Sequence, residues 1–144
     1  MIVYIAALAP LTWVAATDIR NRKISAAPLI LLAALGGVRI ALTGLTSITP
    51  SIIGLLCVGL PMLVLSCVID HGNGIGGGDV KLCATLGFLL GAEYALFLIV
   101  AALLLFVAYA WISGRKDAPF APFVLAGYTV MLALILLIIG GFNV

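Results

Sequence analysis

Apolar residues in this chain run in long uninterrupted stretches. They extend from Ile2 to Thr17, Ala26 to Thr43, Ile48 to Ile69, Val80 to Gly91, Tyr94 to Ser113 and Phe123 to Phe142, each bounded by charge, Pro or Gly. A helix that crosses hydrocarbon needs about 20 mostly apolar residues, so the pattern predicts six membrane helices with short connections. In hydrocarbon every backbone N–H and C=O must find a partner within its segment or a neighbour, and Leu, Ala, Ile and Val on all faces fit helices better than the alternation of a barrel. The expected architecture is an all-α integral membrane protein, one polytopic domain over residues 1–144.

The polar positions between these stretches set the orientation. Arg20, Arg22 and Lys23 follow the first stretch, and Arg115 and Lys116 follow the fifth. Cytoplasmic loops collect Lys and Arg. With six spans both loops fall inside, together with the loop from Asp70 to Asp79, which leaves both termini outside. The fourth stretch is short: Val80 to Gly91 reaches roughly 18 Å at the helical rise, against a hydrocarbon core of about 30 Å. It is retained as a crossing because without it Arg115 and Lys116 move outside and the charge rule is broken. Arg39, the remaining odd charge, is expected to snorkel outward from the outer end of the second helix.

Composition sharpens this picture. Hydrophobic residues make up 65% of the 144 positions and charged residues 8%, where an average soluble domain is about a quarter charged. The net charge of +2 is small and the loop Lys and Arg sit in two short loops, which argues against a nucleic-acid partner and leaves the lipid bilayer as the surroundings. Cys57, Cys67 and Cys83 form no C-x-x-C pair and are read as small core residues. A secretory signal carries its positive charge ahead of its apolar stretch; here charge follows, so residues 2–17 are read as a retained helix. Gly36, Gly37, Gly54 and Gly59 are read as points of close helix packing without chemistry.

The candidate chemistry rests on two carboxylates. Asp18 stands where the first helix meets the inner face, in ATDIRNRKIS, and Asp79 closes HGNGIGGGD at the start of the fourth helix. The expected topology brings both to one membrane face. Ionisable groups at membrane depth are costly and face a cavity or a partner; for Asp18, pairing with Arg20 or Arg22 at the interface is the plainer alternative. Two adjacent carboxylates share a proton and can act as acid and base on one water. Glycines at 72, 74, 76, 77 and 78 are expected to free the backbone for positive φ and to admit an extended peptide beside Asp79. A phosphate loop is not indicated, since the G-x-x-x-x-G-K-[ST] pattern is absent. Asp70 and His71 fall short of a convincing metal ligand set, and no cofactor is called for. Lys81 either lowers the pKa of Asp79 or faces headgroups. Arg115, Lys116 and Asp117 lead into APFAPF, read as a stiff loop at the headgroups.

These residues resemble the type IV prepilin peptidase family of membrane aspartic peptidases, which have one catalytic Asp after the first helix and a second in a G-x-G-D motif. Asp18 and Gly76-Gly77-Gly78-Asp79 correspond, the match extends through GIGGGDVKL and PFAPF, and the six-span layout covers essentially the whole chain. The resemblance, closest to the short forms serving Flp or Tad-type pili, implies that Asp18 and Asp79 are catalytic, with Gly76, Gly77, Gly78 and Lys81 shaping the site. It implies an enzyme of the bacterial cytoplasmic membrane that cuts a short basic leader from a pilin-like precursor just before the precursor's hydrophobic helix. Ala121 stands where the family's Pro-Phe-Gly-Pro-Phe loop has glycine, so a different turn is expected there. Ile24-Ser25 replaces an Ile-Pro-Asn run, which bears on substrate preference, and the paired C-x-x-C motifs of the bifunctional members are absent, leaving N-methylation unsupported. The competing reading is a small ion- or proton-coupled transporter using the same aspartates; helices two, three, five and six carry almost no intramembrane charge to serve as its relay.

Overall fold

The computed structural model describes residues 2–21, 24–69, 76–113 and 119–141, and these are helical with short connections. The first rod is α1 (Ile2–Ala6) and α2 (Leu8–Asn21), followed by α3 (Ala26–Thr43), a 3₁₀ turn at Leu45–Ser47, α4 (Ile48–Ile69), α5 (Gly77–Leu90), α6 (Ala92–Ser113) and α7 (Ala121–Gly141). Pro10 has no N–H to offer the carbonyl of Ala6, which accounts for the break at Ala7. Hydrogen bonds from Ala7 N–H to Val3 O (3.1 Å) and from Leu11 N–H to Ala7 O (3.2 Å) bridge it, so α1 and α2 act as one rod. Among the described residues four stretches are long and apolar enough to cross a membrane: Ile2–Asn21, Ala26–Thr43, Leu45–Val64 and Ala92–Ser113. Of the other two expected spans, α7 supplies a shorter apolar stretch, Ala121–Leu137, and α5 has 14 residues.

The shortness of α5 has visible causes. At its C-terminal end Gly91 takes φ 85° and returns its N–H to Gly87 O at 2.9 Å, a conformation that a side-chain-bearing residue rarely adopts. Arg39, on α3, donates to the carbonyl of Leu89 in the last turn of α5. The orphan carbonyls and negative dipole end of a helix that stops early offer the guanidinium a partner there. Along its length α5 lies antiparallel to α4 with backbones in contact. A Cβ on Gly54 would sit 2.2 Å from Gly87 O, and one on Gly87 would sit 2.3 Å from Gly54 O. A Cβ on Gly59 would meet Ala84 Cβ at 2.9 Å, and one on Gly36 would meet the Phe88 ring at 2.6 Å. The packing role expected of Gly36, Gly54 and Gly59 therefore holds, whereas Gly37 is exposed and faces open space.

The last helix closes the bundle against the first. Tyr128, fully buried, donates its hydroxyl to Tyr4 O at 2.8 Å, so the phenol is satisfied without water. Gly127 lets α6 approach, with Leu98 3.1 Å from where its Cβ would stand. At the end of the bundle that holds Asp18, Phe106 packs edge-on against Phe120 and Phe123 at centroid distances of 5.9 and 5.6 Å. The core between the helices includes Leu11, Val14, Leu32, Leu82, Leu86, Leu98 and Val124. Cys83 belongs to it, but Cys57 and Cys67 are exposed, which corrects their reading as core residues. In a helix apolar on all sides, neighbours in sequence do not distinguish the face turned to other helices from the face turned outward.

Candidate active site

Asp18 lies inside the last turn of α2, which runs on to Asn21, four positions past the apolar stretch that ends at Thr17. Its side chain is only 7% exposed, and its Oδ2 accepts a hydrogen bond from the backbone N–H of Ala121 at 3.0 Å. That amide is the first of α7. The start of α7 can be accounted for donor by donor: Ala121 N–H goes to Asp18, Pro122 has none, and Phe123 and Val124 both turn back to Phe120 O at 3.0 and 3.3 Å. Asp18 therefore supplies, from 103 positions away, the acceptor that a helix usually takes from its own N-cap side chain. A carboxylate there also faces the positive end of the α7 dipole. Ala121, at the glycine position of the Pro-Phe-Gly-Pro-Phe pattern, is helical and 2% exposed, a conformation in which a Cβ is unstrained.

Asp79 enters from a different element. Gly76 is the N-cap of α5, with φ −59° and ψ 136°, and Asp79 is the third helical residue. Asp79 N–H donates to Gly76 O at 2.9 Å, while its carboxyl is hydrogen-bonded in return to the backbone of Gly76, the side-chain half of a capping box. Asp79 precedes the apolar stretch that begins at Val80. Burial pushes its pKa from 3.8 up to about 6, the negative charge of Asp18 adds to the rise, and the Gly76 hydrogen bond opposes it. The charge of Asp18 thus acts on Asp79 although 60 residues separate the two in sequence.

The glycines act through space and not through positive φ. Among the described residues the positive-φ glycines are Gly44 and Gly91, so the expected φ > 0 is not found at 76, 77 or 78. A Cβ on Gly78 would meet Ile24 Cβ at 2.9 Å and Cγ1 at 3.2 Å, so its absence lets the chain after α2 close over the start of α5. Gly77, two positions before Asp79, has nothing within 4 Å of where its Cβ would be. Lys81 is exposed and is not among the groups that move Asp79, which removes the reading in which it lowers that pKa. Gly72, Gly74, Asp70, His71, Arg22, Lys23, Arg115, Lys116 and Asp117 lie outside the described residues.

At the junction of α2 and α3 is an open groove of about 460 Å³, lined among the described residues by Thr17, Asn21, Ile24 and Ser25. Of these, Ile24-Ser25 is the pair where the sequence departs from Ile-Pro-Asn. The Ala121 amide was not foreseeable from residue types, since every backbone carries the same donor.

The model described as the type IV leader peptidase family matches residues 5–141. Over 76 residues the chain is 41% identical to the prepilin leader peptidase/N-methyltransferase of Bacillus subtilis (strain 168), a match covering 48% of this chain and 30% of that protein. The chain thus spans less than a third of that relative's length in the match. No solved structure matches it.

Proposed function

The chain belongs to the type IV leader peptidase family, and from that premise we propose that it is a membrane aspartic endopeptidase cleaving the leader from pilin-like precursors. What supports the reading is a buried Asp18 whose carboxylate is held by the Ala121 amide, with Asp79 in the first turn of α5 and its carboxyl raised in part by the charge of Asp18. With one proton between them, Asp79 holds it, consistent with its pKa pushed up to about 6, and Asp18 acts as base. Asp18 takes a proton from water as its oxygen attacks the scissile carbonyl carbon, and Asp79 gives its proton to the carbonyl oxygen. In the resulting tetrahedral diol, the proton on Asp18 passes to the amide nitrogen as the C–N bond breaks, and a diol hydroxyl returns a proton to Asp79. No covalent enzyme intermediate forms. The hydrogen bond from Ala121 keeps Asp18 oriented during the exchange.

In this reading α5 and α7 complete six spans with both termini outside. Arg20, Arg22, Lys23, Arg115 and Lys116 then mark the catalytic end as cytoplasmic, at the bacterial inner membrane. The precursor's leader lies in the cytoplasm and its hydrophobic helix in the bilayer, so the cut falls at the interface where the two acids stand. The test is cleavage of a pilin-like precursor by detergent-purified protein, with the product N-terminus sequenced. One cut ahead of the hydrophobic segment, lost in Asp18→Asn and in Asp79→Asn, is expected. A cut that survives either substitution overturns the dyad, and proton flux in proteoliposomes without cleavage would favour a transporter.

A further inference from the structure

Asp79 is carried by a helix that is held from its far end. Asp79 and Leu89 stand about 15 Å apart at the helical rise, and at Leu89 the guanidinium of Arg39 on α3 donates to the main-chain carbonyl. Arg39 is partly buried, and a charge at such depth is costly without a partner. Between its ends α5 is seated on small residues. Gly54 and Gly87 bring the backbones of α4 and α5 together, and the Phe88 ring lies over Gly36 of α3. These contacts set how closely α5 lies to its neighbours. Resistance to sliding comes from side-chain ridges set into grooves, and where Gly54 meets Gly87 neither helix contributes a side chain. The link from α5 to α6 runs through Gly91 alone.

A hydrogen bond resists separation of its partners. Carbonyls in a last turn point along the helix in its C-terminal direction, so the bond from Arg39 opposes movement of α5 toward its own N-terminus, the direction that carries Asp79 out of its half-buried place. We propose that Arg39 is a positioning residue for catalysis: by anchoring the C-terminal end of α5 it sets the depth at which Asp79 is held in the bundle. This rests on the peptidase reading above. Depth matters to the chemistry because burial first and the charge of Asp18 second raise the Asp79 carboxyl to about 6, and both weaken as Asp79 moves outward. Among the described residues the charge acting on Asp79 is that of Asp18 on α2. Arg39 on α3 is at the opposite end of α5, Glu93 on α6 and Lys81 on α5 are exposed, α4 brings the exposed thiols of Cys57 and Cys67, and the Cys83 thiol, one turn along α5, is buried.

The test is the pH profile of precursor cleavage by the purified protein, for the parent, Arg39→Met, Arg39→Lys and Leu98→Ala. Arg39→Met keeps the apolar stem and loses the donor. Leu98, buried on α6, packs against Gly127 of α7, so its truncation loosens the core without touching the anchor. Cleavage through the two acids needs Asp79 protonated, so activity falls as pH rises through its pKa. Arg39→Met should lower kcat about tenfold or more with KM nearly unchanged, and should move that alkaline fall to lower pH by roughly half a unit or more. Arg39→Lys, which keeps the charge and a donor at shorter reach, should show both changes at smaller size. Leu98→Ala should leave the profile in place whatever it does to stability. A parental kcat in Arg39→Met, or a lowered kcat with the alkaline limb unmoved as in Leu98→Ala, overturns the positioning role and leaves the peptidase standing. If Arg39→Met does not fold, a parental limb in Arg39→Lys overturns it equally. A parent protein that cleaves no precursor overturns the peptidase reading, and this one with it.

Discussion

Replacing Asp18 by Asn and by Ala should separate its two roles, because only one of them needs a charge. Asp18 is the partner of the Ala121 N–H at 3.0 Å, and the site is 7% exposed, so water does not readily replace it. An asparagine side chain keeps an oxygen in nearly the same position. Asp18→Asn therefore retains a neutral hydrogen bond and loses the charge-assisted share and the dipole interaction, of order 1 kcal/mol in all. It also relieves the repulsion with Asp79, which offsets part of that loss. Asp18→Ala leaves the first amide of α7 without a partner, at about 1–3 kcal/mol, and removes the dipole interaction, so a total near 2–4 kcal/mol is expected. Both variants should fail to cleave precursor, while only Asp18→Ala should unfold markedly earlier. Denaturant or thermal unfolding in detergent can be followed through Trp13, which lies on α2 itself. Equal stability of the two variants within about 0.5 kcal/mol would refute the tie between α2 and α7, a difference well inside what such a lost bond should produce.

Three further outcomes follow from the geometry. The Asp79 carboxyl is raised in the folded state from 3.8 to about 6, so the folded protein holds a proton that the unfolded chain has released, and stability falls as pH rises through that window. Asp79→Asn should match the parent near pH 4 and exceed it near pH 8, by at most about 3 kcal/mol for a shift of roughly two units; no gain at pH 8 in paired unfolding curves would contradict the burial argument. Gly78→Ala should depress cleavage by driving Ile24 off the start of α5, and since the nearest atom is Ile24 Cβ at 2.9 Å, Ile24→Gly should recover part of the loss where Ile24→Val does not. Gly54→Ala forces a Cβ to 2.2 Å from a backbone oxygen that has no rotamer to escape through, so it should destabilise by more than about 1–3 kcal/mol, whereas Gly37→Ala should be neutral or slightly stabilising in the same unfolding assay.

Much of this protein was legible in residue order. The boundaries of α3 and α4 fall where apolar runs meet polar or glycine residues, because transfer of apolar side chains and satisfaction of backbone groups both act segment by segment. Asp18 and Asp79 stood out for the same local reason, as rare charges at the margins of such runs. The all-helical class follows from that physics without knowledge of any contact.

Other features depended on how the helices came together. Cys57 and Cys67 lie on outward faces, and Gly37 faces open space while its neighbour Gly36 is pressed on Phe88, since an apolar environment on every side erases the periodicity that marks a core in water. Arg39 reaches Leu89, and Asp18 reaches the Ala121 amide, through partners that are backbone groups carried by every residue. The glycines before Asp79 matter for the room they leave Ile24, a distance between segments more than 50 residues apart, and not for an intrinsic φ. Composition and order determined which segments are helices and which residues carry charge. Only the packing decided which of those charges meet, because an interaction between groups far apart in sequence depends on a distance that no local preference specifies.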